Sequence, residues 1–116
     1  MNRRRLRKLA KFLKESVPKK RFKMSAWGDE GFAKNKCSTS ACALGWATLC
    51  FPRSGLTMRY HGGDLEIKYQ GRRGTGAAGL FFGLSSDRAC SIFLGPDCTP
   101  KQKAKQIERL LLEPGS

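Results

Sequence analysis

Histidine and acidic residues are scarce in this chain. Its 116 residues contain one histidine, His61, and 9 Asp+Glu against 23 Lys+Arg, a net charge of +14. A single imidazole excludes any multi-histidine metal site and leaves one candidate histidine base. Among the few acids, Asp29, Glu30, Asp64, Glu66, Asp87 and Asp97 form no recognised constellation for metal-dependent nuclease chemistry. No apolar run approaches the roughly 18 residues of a membrane span. The N-terminus is basic but no apolar h-region follows it, so a secretory signal is not expected. The cysteines Cys37, Cys42, Cys50, Cys90 and Cys98 are odd in number and lack C-x2-C spacing. That argues against both a zinc module and a secreted disulfide scaffold.

Cys42, Cys50 and Cys90 are therefore expected to pack in the core, a common place for cysteine, while Cys37 and Cys98 stay open. A helix from Ala41 to Phe51, capped by Ser40 and stopped by Pro52, puts Cys42, Trp46, Leu49 and Cys50 on one face. Cys90 sits in a helical apolar run beside Ile92 and Phe93. Two sharper alternatives exist. Cys42 near a helix N-terminus could carry a lowered thiol pKa, with His61 as its only possible imidazole partner. A zinc site would have to draw on Cys37, Cys42, His61 and one further cysteine. Neither is backed by spacing, so no catalytic residue, metal or cofactor is expected.

What the chain does have is a 40% hydrophobic content, enough for one folded domain over 1–116, and an uneven charge. Residues 1–23 hold 11 of the 23 bases and one of the 9 acids, Glu15; the rest is only mildly basic. Leu6, Leu9, Ala10, Leu13 and Val17 recur at helical spacing, with Arg4, Arg7, Lys8, Lys11 and Lys14 on the opposite arc. Asn2 can cap this helix, and Pro18 ends it near Ser16, giving a range of about 3–16. Its arc carries almost one sign, so i,i+4 neighbours repel. Arg3, Arg4 and Arg5 also stand at the positive end of the helix dipole. A solvated surface face is the plain reading of such an arc; because local helix stability does not explain these residues, an external anion is the sharper one.

The C-terminal segment repeats the pattern. Thr99, Pro100 and Gln102 make a capping box with proline at the first helical position. Ala104, Ile107, Leu110 and Leu111 follow as an apolar stripe, with Lys101, Lys105 and Arg109 on another face. Between the two, Gly62-Gly63 centres a hairpin over 56–69. It pairs His61 with Asp64, Tyr60 with Leu65, Arg59 with Glu66, Met58 with Ile67 and Leu56 with Tyr69. Gly71 to Gly76 reads as a flexible cationic loop carrying Arg72 and Arg73, and Thr75 can cap a helix that Gly83 stops. Ser85 or Ser86 caps another, Asp87 to Leu94. Residues 17–40 read as a loop anchored by Phe22, Met24, Trp27 and Phe32. The expected fold is mostly α, a small α+β domain of about five helices around one β-hairpin.

Several motifs together resemble a group of small bacteriophage and prophage proteins. They are Arg21-Phe22-x-Met24-x-x-Trp27, then Cys-x-Thr-x-Ala-Cys-Ala-x-Gly-Trp-Ala over Cys37 to Ala47. Ala-Ala-x-x-Phe-Phe-Gly-Leu over Ala77 to Leu84 follows, and a terminal Thr-Pro helix ending Ile107-Glu108-x-Leu110. The likeness spans about residues 6–112. It implies a small, mostly helical, cytoplasmic protein of a mobile element, and brings no activity and no catalytic residues. The chain departs from the group in its basicity, with Lys23 where an acid is expected.

The reading that follows is a non-catalytic nucleic-acid-binding protein with little sequence preference. Its phosphate contacts would be Arg3, Arg4, Arg7, Lys8, Lys11, Lys14, Lys19, Lys20 and Arg21, aided by Arg72, Arg73, Lys101 and Lys105. The alternative is an anti-CRISPR-like inhibitor that docks on a host protein or protein–nucleic-acid complex. A membrane-surface role for helix 3–16 is a third option, and it requires Leu6, Leu9 and Leu13 to be free.

Overall fold

The chain enters its first helix, α1 (Arg3–Ser16), through the expected cap: the Asn2 side chain accepts a hydrogen bond from the Arg5 backbone N–H. The computed structural model describes residues 1–22, 42–61, 64–95 and 98–113. After α1 come a single 3-10 turn (Lys19–Arg21), α2 (Ala43–Cys50), β1 (Thr57–His61), β2 (Asp64–Tyr69) and β3 (Arg72–Arg73). Three helices complete the chain: α3 (Gly74–Phe82), α4 (Ser86–Phe93) and α5 (Pro100–Leu111). The fold is thus a mostly helical small α+β fold, with five helices and a three-stranded antiparallel sheet among the described residues.

The periodic segments fold as their spacing requires. In α1, Leu6, Leu9 and Leu13 are fully buried and Ala10 nearly so. They pack on α5, which buries Ala104, Ile107 and Leu110, and on α2. The Thr99–Gln102 capping box forms in full, with Pro100 at the start of the helix. The β1–β2 register matches the expected pairs from Met58↔Ile67 to His61↔Asp64. The Gly62-Gly63 turn lies outside the described residues, as do Met24, Trp27, Phe32 and Cys37.

Aromatic rings fill the space between sheet and helices. Phe81 of α3 meets Tyr69, Phe51 and Phe82 edge-on at 4.9 to 5.0 Å, and Phe82 stacks on Phe93 at 5.5 Å. Such pairs add about 0.5–1.5 kcal/mol each beyond area burial. Gly83 ends α3 in the left-handed region at φ +65°, and a Cβ there would lie 3.0 Å from the Asn2 backbone nitrogen. Glycine is needed for both reasons. The close approach lets the Asn2 N–H donate to the Phe82 carbonyl at 2.7 Å, fastening the start of α1 to the end of α3.

Four expectations need correction. Residues 72–73 are a third strand, not part of a loop: Tyr69↔Arg72 and Lys68↔Arg73 pair antiparallel. Gln70 and Gly71, both at positive φ, make the two-residue turn that joins them. Consequently α3 starts at Gly74 with Arg73 at the cap position, not Thr75. The second helix starts at Ala43 with Cys42 at its cap position, and Leu49 is exposed on it. Finally, Cys90 is exposed, because α4 turns Ala89, Ile92 and Phe93 inward instead.

Candidate nucleic-acid interface

Three consecutive arginines open α1, and their positions round the helix give them different tasks. At 100° per residue, Arg3 and Arg5 stand about 70° and 90° from the centre of the apolar stripe, and Arg4 about 170°. Arg3 and Arg5 accordingly fold back on the protein. Both Arg3 Nη atoms donate to α5's C-terminal end, Nη1 to the Leu111 carbonyl and Nη2 to the Glu113 carbonyl at 2.9 Å. Arg5 Nη1 donates to the Phe81 carbonyl at 2.8 Å, with its guanidinium 4.0 Å above the Phe81 ring. Each arginine thus satisfies carbonyls at the negative end of a neighbouring helix. Cations that oppose α1's own dipole serve the dipoles of α5 and α3. For these two residues the fold itself supplies the negative partner that local helix chemistry does not.

Arg4, Arg7, Lys8 and Lys11 are exposed on the far arc. Among the described residues, no carboxylate pairs with any of the four. Their Cα atoms span about 10 Å along the axis, at 1.5 Å per residue. Lys14 continues the arc but is engaged, with Nζ 2.6 Å from Glu108 of α5. Lys8 Nζ also lies 5.1 Å over the Phe51 ring.

A hollow flanks this crest on each side. One is bounded by Asn2, Arg4, Arg5, Lys8 and the Phe51–Ser54 turn. The other lies between α1 and α5, lined by Arg7, Lys11, Lys14, Glu108 and Leu112 among others. The Arg3–Leu111 and Lys14–Glu108 contacts tie both ends of α1 to the C-terminal part of α5.

The remaining sequence-predicted cations are scattered. Lys19 and Lys20 are exposed in the 3-10 turn that follows α1. Arg21 is half-buried, its guanidinium 5.1 Å over the Trp46 ring and its carbonyl accepting from Trp46 Nε1 at 3.0 Å. Arg72 and Arg73 are exposed on β3, with Arg73 3.2 Å from Glu66. That carboxylate stands opposite Arg59 in register but pairs with Arg73 and Lys68. Lys101 and Lys105 are exposed on α5.

Burial pushes the Cys42 and Cys50 thiols up to about 11, so the helix start does not activate Cys42. Among the described residues no group of His, Cys, Asp and Glu could hold a metal ion. None of the described helices is long and apolar enough to cross a membrane. The α1 leucines are consumed in the core, so the apolar stripe that a membrane-surface helix would need is not free. Compared with known proteins, the chain matches no family model, no curated protein and no solved structure.

Sequence reasoning missed Arg5 as a wall of the first hollow, and the Phe51–Ser54 turn as its other wall. The shoulder position of Arg5 beside the apolar stripe was the available signal for the first. For the second there was none, because residues 51–54 reach α1 only through tertiary folding.

Proposed function

We propose that the protein binds nucleic acid without catalysis, through the outer face of α1, and with little sequence preference. One observation carries this reading: Arg4, Arg7, Lys8 and Lys11 stand exposed on one helical arc with no carboxylate partner among the described residues. Four like charges within about 10 Å repel one another, and the fold gains nothing from that. A duplex carries a charge every ~1.7 Å of axis, so the arc faces enough phosphate to neutralise it. Lys19 and Lys20 extend the positive field past the helix end. Contacts of this kind read phosphates and not base edges, which sets the weak sequence preference.

The test is a salt titration of binding to duplex DNA, single-stranded DNA and duplex RNA. The comparison protein carries Arg4, Arg7, Lys8 and Lys11 all changed to Gln. Wild type is expected to bind with a log–log salt slope about 3–4 units steeper than the variant, at ~0.9 per duplex phosphate contact. Equal slopes, or no binding by wild type near physiological salt, overturn the reading.

A further inference from the structure

The crest faces open solvent, but the hollow beside it is lined by three cations. Arg4, Arg5 and Lys8 line one wall; Phe51, Pro52 and Ser54 form the other. Its volume is about 500 Å³, within the range of pockets that hold small ligands. Two of the three cations are held in place by the fold. Arg5 is fixed by the Phe81 carbonyl at 2.8 Å and the Phe81 ring at 4.0 Å. A guanidinium has five N–H donors, so that carbonyl leaves most of them available. Lys8 is held 5.1 Å over the Phe51 ring, a cation–π distance. Arg4 is exposed and can close over whatever enters. Among the described residues no acid lines the hollow.

From this shared, acid-free lining we propose that the hollow seats a phosphomonoester dianion, the terminal phosphate of a nucleic-acid strand. The proposal rests on the nucleic-acid reading above and sharpens it. An internal phosphodiester carries one charge, which a single crest cation balances. A terminal phosphate carries about −1.5 to −2 at pH 7 and three acceptor oxygens. Three cations, two of them pre-positioned, match the terminal group better than the internal one. The Phe51 ring is buried under its aromatic neighbours and covered by Lys8, so it offers no free face to stack a base. The recognised group is thus the phosphate, not the base beyond it.

The test compares one single-stranded oligonucleotide in three forms, with 5′-phosphate, 3′-phosphate or both ends hydroxyl, alongside a mononucleotide monophosphate. Three proteins are used: wild type, Arg4→Gln/Lys8→Gln, and Arg7→Gln/Lys11→Gln. All four positions are exposed, so folding is not at stake. Wild type is expected to prefer a phosphorylated end by about tenfold, the preferred end being the one whose sugar the hollow admits. Arg4→Gln/Lys8→Gln should abolish that preference. Arg7→Gln/Lys11→Gln should weaken every oligonucleotide alike and keep the preference. Salt-dependent binding with no end preference overturns the seat and leaves the crest reading standing. Binding of the mononucleotide alone, lost in Arg4→Gln/Lys8→Gln, keeps the phosphomonoester seat and overturns the nucleic-acid reading. Binding of nothing overturns both.

Discussion

The first and last helices of this protein are packed against each other, both are amphipathic and both are rich in lysine and arginine, yet they treat those charges differently. In α1, two cations face the core rim and work there: Arg3 ends α5 and Arg5 ends α3. Four others face out, and among the described residues none of them is salt-bridged to a carboxylate. In α5, one cation is drawn inside. Lys103 is 1% exposed, its Nζ donating to Gln106 at 2.7 Å, and burial pushes its pKa down. The α5 acid Glu108 reaches across to Lys14. A net charge of +14 therefore overstates what is free to bind. The useful quantity is the number of exposed cations left after the fold has taken its own.

The largest expected effect lies beneath both helices. Phe81 is fully packed, touches three other aromatic rings, and is the platform for Arg5. Phe81→Ala should cost about 3–5 kcal/mol, read from urea midpoints at unchanged m. A loss below about 1 kcal/mol would mean that the aromatic cluster does not hold the sheet to α3.

Next come the working arginines set against the buried lysine. The double variant Arg3→Met/Arg5→Met should lose about 2–4 kcal/mol, since charge-assisted bonds to helix-end carbonyls go with it. On a strand with both ends hydroxyl, which leaves the hollow unfilled, its salt slope should stay near that of wild type. Lys103→Met should be neutral or stabilising, because a buried ammonium held by one amide is replaced by a side chain of similar size. If Lys103→Met unfolds the protein, the two helices use their inner cations alike and the contrast fails.

Much of this contrast is legible in the order of the amino acids alone. The 3.6-residue period places α1 and α5, and local side-chain chemistry places their caps at Asn2 and Thr99. Alternation and register place β1 against β2. These are signals carried within a few residues. β3 is not legible in this way, because two arginines between glycines become a strand only when Tyr69 and Lys68 offer them a partner. Cys90 is misplaced by periodicity because one apolar run allows two helix rotations, and α4's neighbours choose the one that buries Ile92 and Phe93. The separation of Arg3 and Arg5 from Arg4 is implicit in the helical angles. The carbonyls they serve are about 75–110 residues away, beyond local pattern.

The thiols give a smaller effect with a definite pH window. Cys50 is buried beside α1, and burial raises its pKa from 9.0 to about 11. The raised value means the folded state holds the proton that the unfolded state gives up. The contribution is whole below about pH 9 and is lost as pH rises toward 11. Cys42 behaves alike, while Lys103, lowered from 10.5, acts in the opposite sense as pH rises toward 10.5. Cys50→Ala isolates one group from the others. Between pH 8.5 and 10.5 its stability should fall less than that of wild type, by up to about 2 kcal/mol. Parallel curves would place that thiol in contact with water.

The smallest expected effect is the most telling for function. Changing Arg4, Arg7, Lys8 and Lys11 to Gln removes four charges, and a helix whose charges were chosen for stability would lose some. Here the expected change is within about 0.5 kcal/mol, tending toward a gain at low salt, because like charges at i,i+3 and i,i+4 cease to repel. Raising the ionic strength screens that repulsion within about 10 Å at 0.1 M, so any gain should shrink as salt is added. A stabilised, normally folded variant that has lost its nucleic-acid salt slope would show a helix face kept at the fold's expense. A loss above about 1 kcal/mol, twice the usual range for surface substitutions, would show instead that these four residues belong with Arg3 and Arg5, as parts of the fold.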